Sequence, residues 1–245
     1  MYRWIAPLIL IALVFALATT GCYMFRSADD YYGLELQEAQ DRVLFVVDVS
    51  GSMEGKAEGE TPQGRLSTRA TDEAISLGTR ATTDRLSGRA GRKLGSAAED
   101  RAREETTKLG AAKRELLPMI RGLEEHVHFN ILLFGHEISE WEGQMVPATE
   151  ESRSDARSFV RDLSARGGTP ALGVLERAFE DEVDVIFFVS DGIPTDARPQ
   201  RILDEVSEWN RERGIVIHTI GLGDDMDEVF MDRLAEQNGG EFVYF

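Results

Sequence analysis

The chain has 245 residues, 42% of them hydrophobic. That is one ordinary domain with extras or two very small ones, with enough apolar material for a sizeable core. A single cysteine excludes an internal disulfide and a cysteine-based zinc site. With 44 acidic and 27 basic residues the net charge is −17, which excludes holding DNA or RNA by general charge attraction. The charge is uneven: −3 over residues 1–53, +2 over 54–115 and −16 over 116–245, so the middle block is a compositional island. Only four of the bases are lysines, all between residues 56 and 113.

Residues 4–25 carry no charge and follow Met1-Tyr2-Arg3. The apolar part, 5–18, has the length of a signal-peptide core, and extended to Phe25 it reaches the length of a membrane span. Thr19-Thr20-Gly21-Cys22 closes it. A lone cysteine after small residues resembles a bacterial lipobox, in which Cys22 carries the lipid, although Thr19 stands where leucine is usual. The other reading is an uncleaved membrane helix with an incidental cysteine. Both keep Arg3 on the cytoplasmic side, with Asp29 and Asp30 beyond the stretch. The expectation is a signal peptide or anchor over 1–25, a polar tether over 26–41, and a domain over 42–245 held outside the cytoplasm.

Residues 43–47 form a short continuous apolar run rich in β-branched residues, which predicts a buried strand of a parallel sheet. Similar runs follow at 127–134, 183–189, 215–220 and 242–245, with a short edge strand predicted at 138–141. Helical patterns cover 105–123, 155–165, 171–180, 196–213 and 227–237, the last ending at Asn238-Gly239-Gly240. This alternation predicts a doubly wound α/β domain: a mostly parallel central sheet with helices on both faces. Residues 54–104 interrupt it with a stretch rich in Arg, Ala, Thr and Gly. It has weak internal echoes (RLSTRAT at 65–71, RLSGRAG at 85–91) and few large apolar residues. It reads as a partly helical insertion after the first strand.

Three separated segments carry the chemistry. The first strand ends in Asp48-Val49-Ser50-Gly51-Ser52, a helix start is preceded by Gly167-Gly168-Thr169-Pro170, and a later strand runs into Ser190-Asp191-Gly192. Each alone is an ordinary turn. Together, in this order and at strand carboxyl ends or a helix start, they resemble the von Willebrand factor A domain and its metal-ion-dependent adhesion site, over residues 42–245 apart from the insertion. The resemblance implies that Ser50, Ser52 and Thr169 act as direct or switchable ligands of Mg²⁺ or Mn²⁺. It implies that Asp48 and Asp191 act largely through water, and that the metal's open position takes a carboxylate from a protein partner. Such hard oxygens suit a small dication. Gly51 and Gly167-Gly168 are expected to allow tight turns, and Pro170 to open the helix. The site is expected at the topological switch between the first strand and the one ending at Ser190.

Enzyme readings fit less well. A phosphatase using Asp48 as nucleophile needs a second acid two residues on, where Ser50 stands. A serine hydrolase needs glycine where Asp48 stands. No phosphate-cradling GxxxxGK occurs, and Gly221-Leu222-Gly223 reads as a plain turn, so no nucleotide is expected. His126 and His128 are placed on one face of a strand as packed or solvated side chains, and His136 and His218 have no helpful neighbours. Asp224, Asp225, Asp227 and Glu228 are expected to serve a helix N-terminus, by capping first of all. The functional expectation is a non-enzymatic, membrane-tethered binding protein for adhesion or envelope interactions. The alternative is an accessory subunit of a chaperone-like ATPase or an assembly factor, with a metal-dependent hydrolase behind it.

Overall fold

The structure, a computed structural model, describes residues 40–57 and 106–244. The charge-free stretch with Cys22 and the interior of the insertion lie outside the described residues. Among the described residues, no helix is long and apolar enough to cross a membrane.

The first strand, β1 (Arg42–Asp48), is buried from Val43 onward. It is followed by a single 3₁₀ turn, Gly51–Glu54, and by helix α1 (Lys108–Gly122). Then come β2 (His128–Phe134), β3 (Ile138–Glu140), β4 (Val146–Pro147) and α2 (Glu150–Arg161). The second half alternates strictly: α3 (Ala171–Ala178), β5 (Val185–Ser190), α4 (Pro199–Asn210), β6 (Val216–Gly221), α5 (Glu228–Gln237) and β7 (Phe242–Tyr244).

The sheet order is β3-β2-β1-β5-β6-β7, with β4 also on β2; β3 and β4 are antiparallel to β2 and every other pairing is parallel. Alternate residues of the central strands point to opposite faces, and both sets are buried. One face, carrying Leu44, Val46, Phe134, Phe188 and Ile217, packs on α3, α4 and α5. On the other, Val43, Phe45 and Val47 are fully buried and Phe45 stacks on Phe187. The doubly wound α/β expectation is therefore met.

Local chemistry accounts for the boundaries that differ from the expected ones. Helix α2 starts five residues early because Thr149 caps it, accepting from Ser152 N at 3.2 Å, with Glu150 and Glu151 in the first turn. It ends at Arg161, where Lys113 Nζ donates to the Arg161 and Leu163 carbonyls. Helix α1 starts at Lys108, capped by Thr107, whose Oγ1 accepts from Gly110 N at 3.0 Å. Asp227 caps α5 by accepting from Phe230 N, so the expected capping role falls on that acid.

The histidines also differ from expectation. His126 sits in the turn before β2, near Asp41 and Glu124, so it does not share a strand face with His128. His218 does have neighbours: its ring stacks on Phe187 and Nδ1 accepts from Glu241 N at 3.1 Å.

The strand order reverses at β1, which has β2 on one side and β5 on the other. Val47 stands in register with Val189, so Asp48 and Ser190 end adjacent strands side by side. In open α/β sheets, ligands bind at such a reversal, beyond the carboxyl ends of the strands.

Candidate metal centre

Asp48 closes β1 with its carboxylate fully buried. Oδ1 accepts from Ser50 N at 2.8 Å and Oδ2 from the Ser190 hydroxyl at 2.6 Å. Ser190 Oγ in turn accepts from Gly192 N, which aligns the turn that presents Asp191. Burial pushes the Asp48 carboxyl up to about 6, against the pull of hydrogen bonds from Ser190 and Ser50, and the nearby charge of Asp191 adds to the rise. Among the described residues no cation pairs with Asp48. Its charge is held only by neutral donors, and a buried carboxylate so placed is costly at neutral pH.

As the chain leaves β1 it turns so that Ser50 and Ser52, two positions apart, bring their hydroxyl oxygens within 2.9 Å of each other. Ser50 is buried and Ser52 exposed, so the pair spans from the interior to the rim. The segment preceding α3 is stitched to this turn: Gly51 N donates to Gly167 O at 2.9 Å and Arg166 N to Val49 O at 2.6 Å. Gly167 has φ +91, and a Cβ there would lie 2.1 Å from His136 N, so only glycine fits. Gly51 lies in the 3₁₀ turn without a positive φ, so the turn demands less of it than expected.

Thr169 is 5% exposed. Its N–H donates to Thr195 Oγ1 at 3.0 Å and its carbonyl accepts from Thr195 N at 2.9 Å. Pro170 forms the N-cap of α3 rather than its first residue, and Asp196 accepts from Leu172 N and Gly173 N. The loop after β5 thus fixes the threonine segment from across the cleft.

Asp191 is 4% exposed and, unlike Asp48, has a cation: Lys108 Nζ donates to its Oδ2 at 3.2 Å and, in a closer contact, to Asp225 Oδ1. Burial works against the ammonium, but Asp225 and Asp191 more than offset it and hold the lysine pKa above its ordinary value. The hydrogen bond from Lys108, together with its charge, pulls the Asp225 carboxyl down.

These residues suit a divalent metal. An octahedral Mg²⁺ with oxygens at roughly 2.1 Å has adjacent ligand atoms about 2.9 Å apart, the separation of the two serine hydroxyls. Hydroxyls and carboxylates are hard donors, and Asp48 supplies a buried negative charge that lacks a counter-ion. Among the described residues, no cluster of three His, Cys, Asp or Glu side chains is placed to hold a metal, so a soft or imidazole-based centre is not formed there.

Sequence reasoning placed Ser190 in the third segment without giving it a role, and missed Thr195, Asp196 and Lys108. Ser190 immediately precedes Asp191 and was within reach. The lysine had one signal. In a chain whose bases are nearly all arginine, the few lysines stand out, and Lys108 and Lys113 are both buried.

A mostly parallel sheet wound on both faces, with hydroxyls and acids gathered at its strand reversal, defines a doubly wound α/β domain. A family model for the von Willebrand factor type A domain matches residues 99–244, and the chain belongs to that family. The matched span begins near the end of the insertion, so Asp48–Ser52 lie outside it. Among curated proteins, inter-alpha-trypsin inhibitor heavy chain H4 of Homo sapiens is 30% identical over 148 residues, 54% of this chain and 16% of that protein. Heavy chain H1 of Mesocricetus auratus is 28% identical over 151 residues, 56% of this chain and 16% of that protein. The chain therefore matches about a sixth of these relatives' length.

Among solved structures, an aerotolerance-related membrane protein from Bacteroides fragilis aligns with a TM-score of 0.54 at 13% identity, covering 83% of this chain and 90% of that one. A von Willebrand factor type A protein from Catenulispora acidiphila gives 0.52 at 16%, covering 84% and 38%. At such identities these likenesses show the fold.

Proposed function

We propose that this protein is a membrane-tethered, extracytoplasmic binding module. It holds Mg²⁺ or Mn²⁺ at Asp48, Ser50, Ser52, Thr169 and Asp191 and engages an acidic group of a protein partner through that ion. Domains of this family typically mediate metal-dependent protein–protein interaction, and most of their proteins serve adhesion or interaction rather than catalysis. The observation that carries the reading is the pairing of two hydroxyls 2.9 Å apart with the buried, uncompensated carboxylate of Asp48. When bound, the ion supplies an electrophilic position that a partner's carboxylate completes. The residues supply the cradle, and Asp48 and Asp191 supply charge without crowding the metal with carboxylates. The tether rests on the uncharged stretch 4–25 behind Arg3, closed by Cys22.

The test is a thermal melt of the purified chain with Mg²⁺, Mn²⁺ or chelator. The ion raises the melting temperature by linkage, and Asp48→Ala abolishes the rise while the chain stays folded. An equal rise in the variant places the ion elsewhere. Lipid labelling of wild type and Cys22→Ser tests the anchor: loss of label in the variant supports a lipidated Cys22, and an unlabelled wild type leaves the membrane-helix form.

A further inference from the structure

Lys108 is the first residue of α1, where the chain re-enters the described domain after residues 58–105, and its side chain is 4% exposed. It threads between two glycines. A Cβ on Gly223, φ +80, would lie 2.6 Å from Lys108 Cε, and one on Gly55 would lie 3.7 Å from the same atom. Lys108 N donates to Gly55 O at 2.9 Å, fixing the base of the side chain as well. Three chain segments thus converge to aim one buried ammonium at Asp191, whose side chain is 5% exposed, and to brace it with Asp225, 72% exposed. Desolvating an ammonium is costly, and helix packing does not require it.

We propose that Lys108 is a built-in counter-ion that sets the cation affinity and the ligand appetite of the metal centre. This rests on the metal-site reading above. Asp48, Asp191 and Lys108 together carry a charge of −1, so a bound dication leaves the buried site positive and completed by one carboxylate from a partner. Without the lysine, the two acids would neutralise the dication by themselves. The ammonium therefore weakens metal retention and favours capture of an acidic group. Asp225 lies outside the buried set and tempers the lysine from the solvent side.

The full-length chain, Lys108→Met and Asp225→Asn are each titrated with Mn²⁺ and with Tb³⁺, by calorimetry and by lanthanide luminescence. Lys108→Met binds Mn²⁺ roughly tenfold tighter than wild type. Its gain for Tb³⁺ is larger still, because repulsion by a fixed charge scales with the charge of the ion. Asp225→Asn binds Mn²⁺ several-fold more weakly. Equal gains for both ions would reveal a merely geometric effect and overturn the proposal. Unchanged or weaker binding by Lys108→Met, with wild-type binding still abolished by Asp48→Ala, overturns the counter-ion role and leaves the metal site standing. Absence of binding by every form overturns both. If Lys108→Met does not fold, Asp225→Asn decides, and unchanged Mn²⁺ binding there overturns the proposal.

Discussion

The Ser190 hydroxyl donates to Asp48 Oδ2 at 2.6 Å, joining the ends of two adjacent parallel strands through side chains where their backbone ladder stops. The bond holds one oxygen of the only fully buried carboxylate among the described residues. It fixes that carboxylate's position without neutralising it.

Asp48 therefore destabilises the metal-free fold. Its folded pKa of about 6 lies above the ordinary 3.8, so the folded protein binds more protons between those values, and metal-free stability falls as pH rises through that window. Asp48→Asn removes the charge and keeps the shape. At pH 7 without metal, the variant is expected to be more stable than wild type by roughly 1–3 kcal/mol. With saturating Mg²⁺ the order reverses. Urea unfolding with and without chelator checks both signs.

Gly167→Ala is expected to cost about 2 kcal/mol or more, because the new methyl meets the backbone at His136 and the residue holds φ +91. The displaced loop carries Thr169, so metal-induced stabilisation falls as well. Calorimetric unfolding in chelator and in Mn²⁺ separates the two effects, and a variant as stable and as metal-responsive as wild type refutes the account.

Much of this was legible in the sequence, for identifiable reasons. Strands such as β1 and β5 are buried on both faces, so their apolar runs are continuous and their class is plain. Most of the candidate metal-site residues sit where strands end, Thr169 ahead of a helix being the exception, and short polar residues after an apolar run stand out. What did not show is set by tertiary partners. The end of α2 is decided by Lys113, which reaches over from α1, and the start of α3 is capped by Asp196 from another loop. Lys108 was hidden for the same reason: its partners Asp191 and Asp225 are 83 and 117 residues away, and the rarity of lysine in the chain was its one mark. The two-residue strand β4 is too short for any periodicity to announce.

His218 works in the opposite sense to Asp48, and its contribution is expected to fall in mild acid. Burial holds its pKa below the ordinary 6.5, with the charge of Glu241 opposing in part. Its neutral ring accepts from Glu241 N, so the unfolded chain binds the proton more readily. The contribution is complete above pH 6.5 and is lost as pH falls below it, levelling off once the lower folded pKa is passed. His218→Gln keeps an acceptor and lacks the titration. Comparing urea midpoints across pH 5–7.5 should show a shallower acid slope for the variant, and identical slopes would assign the acid sensitivity elsewhere.

Replacement of residues 58–105 by a short Gly-Ser linker is expected to leave a folded, metal-responsive domain. Ala57 N donates to Thr106 O at 3.0 Å and Lys56 bridges Thr107, so the two ends already meet and a short closure spans them. Closure entropy changes only slowly with loop length. The segment carries nine acids and nine bases, and this neutrality beside the strongly acidic remainder suits a role in choosing an acidic partner. Thermal melts of the shortened chain with and without Mg²⁺ test the first point and partner capture from membranes the second; failure to fold would make the segment part of the core.

The bond between Asp48 and Ser190 links positions 142 residues apart. Contacts so distant carry a large loop-closure cost before they are rewarded, so the cradle is expected to be completed late in folding. An ion that binds there has nothing to nucleate early on. It acts on the finished protein by slowing its escape, so metal should lengthen the lifetime of the folded state far more than it shortens the time taken to reach it.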